Sequence, residues 1–524
     1  MTKVVFHPFL FAVYAILGVY SRNSLEVPVQ WVVRPLIILL LVTAVIFYVL
    51  QIKSRDTQYA GLVTTLAVFW LFFGHFHRSL FEKSSFWNSL LGILLALMIW
   101  TIPLIFIGSK WAWKRISNHN LITSFLNITS VIVVLFPIYV AGDSWVKTNL
   151  LAGKVDNRQS FSSSTVLDLQ SPQPDVYLII LDAYGREDFL RDVYGFDNSN
   201  FVNGLKQKGF YVADQSTPNY HQTVLSLSSL LNMQYLDDFT KDFQNTSIRG
   251  PINNFVQQSS VRHLLQNAGY EFVAFPSASL STQMRDADVF LDMTVGNLNE
   301  FEGLVLSSTV ANLAIDAWHL NVPVPGYNLH RQYILFSLDK LETIAKEASP
   351  KFVFVHIMAP HPPFVLDEAG NSVQPDRPFN SGDASAFMGT DEEYMKGYIS
   401  EMQYLNQRIT NAVDAILSQS QQPPIIIIQG DHGPGNYFNL MEFDNTCLKE
   451  RYSILNAYYF PDKNYKALYP TITPVNSFRV IFNQYFGGDF ELLDDKNYYA
   501  GWFTPYVYTD VSDQAQSCEI KLPN

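Results

Sequence analysis

Cysteine is almost absent from this chain: its 524 residues hold two, Cys447 and Cys518. There is no CxxC pair and no Cys/His zinc spacing, which excludes zinc-ribbon and thioredoxin-like modules. Sequence spacing leaves open whether the two thiols are unrelated or joined. Basic charge is also short. Lys and Arg number 35 against 47 Asp and Glu, a formal net charge of −12, and most of the acids follow residue 150. Nucleic acid is therefore excluded as a partner, because phosphate backbones need basic surface. The N-terminal apolar run, ending "AVYAILGVYSRN", lacks the small-residue cleavage site of a signal peptide and is read as a retained helix.

The first ~145 residues are instead rich in long apolar runs. Five stand out, at about 5–21, 32–51, 60–76, 87–108 and 121–142, most of them near the ~20 residues that span a bilayer. With the N-terminus inside, the inner segments carry Lys3, Lys53, Arg55, Lys110, Lys114 and Arg115. The outer loops carry Arg22, Arg34, Arg78 and Lys83. That bias fits the positive-inside rule, and five spans leave everything after ~145 outside the cytoplasm. His75 and His77 close the third run and read as interfacial residues. The expected layout is a membrane domain at 1–145, a polar, Ser-rich linker at 146–174 and a folded domain at 175–524.

That folded domain reads as α/β. Three strand-length apolar runs end on polar chemistry: "DVYLIILDAYGRED" (175–188), "KFVFVHIMAPHPPF" (351–364) and "PPIIIIQGDHGPG" (423–435). Continuous rather than alternating apolarity suits a mostly parallel central sheet with helices on both faces. Helical patterns lie between them, at 331–348 and 391–419. In such sheets ligands bind beyond the carboxyl ends of the strands, where Asp182, His361, Asp431 and His432 stand. Alone, each acid is a helix cap. Together, two carboxylates and an imidazole suit one divalent metal, Zn²⁺ or Mn²⁺. Gly430 and Gly433 would let the chain turn tightly around the pair.

A nucleophile candidate comes from "STPNYHQTVLSLSSLLNM" (216–233), a loop entering an apolar helix. A hydroxyl at a helix N-terminus has backbone N–H groups and positive dipole beside it for an attacked anion. A metal can lower its pKa in place of a general base. The plainer reading is an N-cap threonine followed by surface serines.

The order strand–Asp, loop–Thr–helix, strand–His–Pro, strand–Asp–His resembles the alkaline phosphatase/sulfatase superfamily. Five apolar helices ahead of such a domain resemble lipoteichoic acid synthases and lipid A phosphoethanolamine transferases. The resemblance implies that the metal is held by Asp182, Thr223, Asp431 and His432. It also implies Thr223 as nucleophile, the serine three residues on (Ser226) matching the transferases, and His361 at the transferred group. Two departures stand out: Asp182 replaces the transferases' usual Glu, and no histidine follows His432, so one metal is expected rather than two. Neither Cys-x-Pro-x-Arg nor Ser-x-Pro-x-Arg occurs, which argues against a formylglycine sulfatase mechanism. Arg285, His221 and Arg186 are weaker candidates for substrate binding.

The implied activity is a membrane-bound, metal-dependent phospho-group transfer from a phosphodiester through a phospho-threonine. A membrane lipid would be the donor and an envelope glycan the acceptor, and the sequence points to no protein partner. The rivals are a sulfatase-like hydrolase with water as acceptor, and a non-catalytic ligand-binding membrane protein that kept the fold.

Overall fold

A computed structural model describes residues 4–24, 27, 29–72, 90–156, 173–293, 298–312, 326–375, 377, 379–441 and 446–518. The chain divides into two compact units. One comprises residues 1–150, 295–326 and 375–378; the other 151–294, 327–374 and 379–524.

The first unit is helical: α1 (His7–Asn23), α2 (Val33–Ser54), α3 (Thr57–Leu71), α4 (Leu90–Ile107) and α5 (His119–Asp156). These coincide with the five apolar runs. Two stretches, Val29–Ser54 and His119–Val146, are long and apolar enough to cross a membrane, while Thr57–Leu71 and Leu94–Ile107 are apolar but shorter. On α2 the large side chains Ile37, Leu41, Val45 and Ile52 are all more than half exposed. Water penalises such surface by about 25 cal/mol per Å²; a lipid tail does not. Inside the unit, Asn127 of α5 accepts the amides of Phe6 and His7 at 3.3 and 3.1 Å, satisfying the first donors of α1. α5 runs on to Asp156 rather than ending near 145, because "VKTNLLAGKVD" is rich in helix-forming residues. His75, His77, Arg78, Lys83 and the linker core at 157–172 lie outside the described residues.

Residues 295–326, which the sequence assigns to the folded domain, belong to the helical unit. Their helix Glu300–Ser307 starts with a capping box formed by Asn299 and Glu302. Buried Glu302 pairs with Arg34 at the start of α2, and Phe301 packs edge-on against Tyr20 of α1 at 6.2 Å. An ion pair and an aromatic contact are gained there, and neither is legible in local sequence.

In the second unit, a seven-stranded sheet runs in the order β2–β7–β6–β1–β5–β3–β4 among the described residues. Its strands are β1 (Val176–Leu181), β2 (Tyr211–Val212), β3 (Glu271–Ala274), β4 (Val289–Phe290), β5 (Lys351–Ile357), β6 (Ile425–Gly430) and β7 (Asn456–Tyr459). β1 lies at the centre, parallel to both β5 and β6, and only the pairings of β7 with β6 and β2 are antiparallel. Every residue of β1, β5 and β6 is buried. Their side chains alternate between two cores. Val176, Leu178, Ile180, Ile425 and Ile427 face one; Tyr177, Ile179, Leu181, Ile426 and Ile428 face the other. Continuous apolarity is therefore two alternating patterns superposed, one per covered face.

The helix Asp391–Gln419 has the predicted bounds and opens on a capping box, Thr390 with Glu393. The pattern at 331–348 becomes a helix at Tyr327–Leu341 and a short 3₁₀ turn. Cys447 and Cys518 form a disulfide across 71 residues of sequence.

Candidate active site

The parallel strands β1, β5 and β6 end together, so the residues that follow them converge. Asp182 follows β1 directly, and its amide still donates to Ile357 O of β5 at 2.9 Å. Next comes Ala183 in the left-handed region (φ 62°), a conformation that costs a non-glycine residue roughly 1 kcal/mol or more. That turn aims the Ala183 amide at Asp431 Oδ1, 3.1 Å away, while Tyr398 donates to the Ala183 carbonyl at 2.8 Å. The backbone thus fixes Asp431 against Asp182.

The glycines flanking the pair serve a purpose other than the expected one. Neither Gly430 nor Gly433 has a positive φ; both are required for close approach. A Cβ on Gly430 would lie 2.4 Å from Tyr184 O, and one on Gly433 would lie 2.0 Å from Glu450 O.

His432 donates through Nδ1 to the carbonyl of Gly433 at 2.9 Å. That bond fixes the tautomer and leaves Nε2 a lone pair directed into the site. Nε2 stands 3.4 Å from both Asp182 Oδ1 and Asp431 Oδ2. Those two oxygens are buried and accept no hydrogen bond, which is costly for carboxylates unless a cation compensates. Asp182, Asp431 and His432 each present one ligand atom, all within 4.8 Å of one another. One unpartnered oxygen on each acid, beside an imidazole nitrogen that carries no proton, fits one divalent ion.

Thr223 is the first residue of the helix Thr223–Asn232, whose N-cap, Gln222, makes no side-chain cap bond. Its Oγ1 lies 3.1 Å from His432 Nε2. Of the five residues from sequence, Asp182, Asp431, His432 and Thr223 thus meet around one nitrogen. His361 stands at their margin, its ring centroid 6.3 Å from that of His432. Its Nδ1 is bonded to Pro362 O at 2.6 Å, and its Nε2 faces Asp383 Oδ2 at 3.9 Å.

Burial alone would raise the pKa of Asp182, but the charges of His361, His356 and His432 outweigh it and hold the carboxyl well below its usual range. Asp383 is likewise pushed down to about 2, burial being overcome by Arg451 and His361. For His361 burial opposes protonation, yet Asp182 and Asp383 win and raise it. Burial and Arg451 lower His432, in keeping with an unprotonated Nε2.

The weaker candidates are placed elsewhere. Nε2 of His221 stands against the backbone of Ala500, 2.9 Å from its O and 3.1 Å from its N, and the ring stacks on Tyr499. Arg186 spends its donors on Asp188, Ser216 O and Gln516. Arg285 is half exposed and pairs with Asp292 at 3.7 Å. Among the described contacts, none of the three side chains bonds to Asp182, Thr223, Asp431 or His432.

Three residues were missed. His356, noted inside its strand without a role, donates from Nε2 to Asp182 Oδ2 at 3.1 Å, and its Nδ1 meets Thr282 Oγ1 at 3.0 Å. A signal existed: Ile180 is opposite His356 in the β1–β5 register, so two-residue alternation puts Asp182 and His356 on one face. Asp383 and Arg451 form a buried ion pair beside His432, and the surrounding "NSGDASAF" and "LKERYS" carry no comparable signal.

A family model described as Sulfatase matches residues 174–478. No curated protein matches the chain by sequence. Among solved structures, the C-terminal periplasmic domain of EcEptC from Escherichia coli is 12% identical, covering 67% of this chain and 97% of that one at a TM-score of 0.43. The integral membrane lipooligosaccharide phosphoethanolamine transferase A of Neisseria meningitidis is 11% identical, covering 91% and 94% respectively at 0.40. A 2-O GAG sulfatase is also 11% identical, covering 61% and 72% at 0.37.

Proposed function

The chain belongs to the sulfatase family, and from that premise we propose a membrane-bound, metal-dependent phospho-group transferase that works through a phospho-threonine. The observation that supports this most directly is Thr223 Oγ1 at a helix N-terminus, 3.1 Å from a nitrogen bordered by two orphaned carboxylate oxygens.

Asp182, Asp431, His432 and Thr223 would hold the ion, Zn²⁺ or Mn²⁺, which when bound supplies the positive charge that eases ionisation of a hydroxyl. Thr223 Oγ1 attacks the phosphorus of a phosphodiester, the bond to the leaving alcohol breaks, and the phosphoryl group stays on Thr223. The helix N-terminus offers its first N–H groups to the phosphoryl oxygens. His361, held by Pro362 O and facing Asp383, gives the leaving alcohol its proton. An acceptor hydroxyl then takes the phosphoryl group and frees Thr223. The helical unit, five spans in this reading, keeps the catalytic domain outside the cytoplasm beside a bilayer. The donor is accordingly a lipid head group and the acceptor an envelope glycan.

The test is turnover of a labelled phospholipid by the full-length protein in bilayer discs, with metal content measured alongside. Thr223→Ala is expected to lose turnover by a factor on the order of 10³ or more, as for other removed nucleophiles. Equal turnover in both proteins would remove Thr223 from the mechanism. Label released into water with every acceptor offered would favour the hydrolase reading.

A further inference from the structure

Arg451 closes the short helix Leu448–Arg451 and is 3% exposed. A guanidinium carries five N–H groups in a rigid fork. Here Nε donates to His221 O at 2.9 Å, and Nη1 donates to Asp383 and, at 3.2 Å, to Gly433 O. The face of the group lies over the Phe438 ring, 5.5 Å from its centroid. These contacts anchor three of the donors. Nη2 makes one contact, to His432 Nε2 at 3.1 Å.

That contact conflicts with metal binding. Because Nδ1 of His432 carries the proton, Nε2 has a single lone pair. It can accept from Arg451 or bind a cation, not both, and a guanidinium is repelled by a divalent ion. Loading the site therefore breaks the Nη2–Nε2 contact, and the planar fork, being rigid, turns as a unit about its ion pair with Asp383. Nη2 and Thr223 Oγ1 both stand 3.1 Å from the same nitrogen, so they are no more than about 6 Å apart. A phosphoryl group bonded to the hydroxyl and hydrogen-bonded to the fork spans up to about 5.4 Å, so a small turn of the fork brings Nη2 into reach.

We propose that Arg451 is an anion clamp: a cation on His432 Nε2 takes the acceptor of Nη2, and the two Nη2 donors then serve the phosphoryl oxygens of a substrate on Thr223. The inference rests on the reading of Thr223 and the metal given above. It assigns Arg451 to substrate binding, with Asp383, His221 O and Gly433 O positioning it.

Two measurements decide it, with inorganic phosphate as the probe. In a crystal structure of the metal- and phosphate-loaded wild-type protein, Nη2 should lie within hydrogen-bond distance of a phosphate oxygen and no longer on His432 Nε2. Nη2 still bonded to Nε2 overturns the proposal. In solution, Arg451→Lys keeps the charge and loses the fork. Its metal affinity should stay within about threefold of wild type while phosphate affinity falls at least about tenfold, the size of a lost charge-assisted hydrogen bond. Unchanged phosphate affinity, or a parallel loss of both affinities, also overturns it, the latter because Arg451 would then only support His432. If Arg451→Lys does not fold, the wild-type structure alone decides. A protein that binds no divalent ion, or that turns over without Thr223, defeats the underlying function instead. A metal-loaded, Thr223-dependent enzyme indifferent to Arg451 defeats the clamp alone.

Discussion

Single side chains here do more than their local sequence suggests. His356 lies within β5, yet its ring holds Asp182 from behind through one nitrogen and meets Thr282 through the other. Ligands oriented in this way owe about 10–100-fold of metal affinity to the supporting group. His356→Gln is accordingly expected to weaken metal binding by that factor in a chelator competition, with the fold retained. Glu401 is a second case. Buried on the long helix Asp391–Gln419, it accepts the amides of Val365 and Leu366 on Oε1, at 2.9 and 3.1 Å, and Oε2 has no partner. Burial raises its carboxyl from 4.5 to about 8. A raised acid stays protonated in the fold after the unfolded chain has ionised, so its contribution is full below pH ~4.5 and is lost as pH climbs toward about 8. Glu401→Gln should therefore lose less stability than wild type between pH 5 and 8, the difference being about 1 kcal/mol or more. Thermal unfolding of both proteins at the two pH values checks this; parallel losses would exclude Glu401 as the protonated group.

At the scale of elements, the site depends on how closely backbones approach at the carboxyl ends of β1 and β6. Gly433 leaves no room for a side chain, because its Cβ would fall 2.0 Å from a carbonyl oxygen of the helix that carries Arg451. Gly433→Ala is expected to destabilise the second unit by about 3 kcal/mol, through backbone displacement rather than strain in φ. It should also lower metal content, since His432 Nδ1 bonds the Gly433 carbonyl. Wild-type stability and metal content in this variant would contradict both points. The strand ends themselves were legible beforehand. Asp182, Asp431 and His432 follow apolar runs whose length and continuity mark buried parallel strands, and polar residues survive there only where the burial ends. His356 was legible in principle, once the register places it level with Ile180. Asp383 and Arg451 were not, because a loop between strands and a four-residue helix carry no periodicity that points inward.

At the scale of the whole molecule, the disulfide ties the C-terminal segment to the loop just ahead of Arg451. In the chain-entropy account, closing a loop of 71 residues stabilises the fold by roughly 4 kcal/mol. Replacing both cysteines by serine, or reducing the native protein, should lower the melting temperature by several degrees. Activity should fall before global unfolding, because Glu450 and Arg451 follow Cys447 within four residues. An unchanged melting temperature and activity under reductant would place the bond outside the stability of the site.

The sequence by itself determined the apolar helices, the buried parallel strands and the four residues that gather at their ends. Hydrophobic period and strand termination are local properties, and a strand end is the one place in a buried sheet where charge can face a ligand. Tertiary structure alone decided which oxygens are left without partners, that Cys447 meets Cys518, and that residues 295–326 join the helical unit. It alone brought the Arg451–Asp383 pair against His432. Those relations join segments tens to hundreds of residues apart, and no local pattern encodes a distance between them.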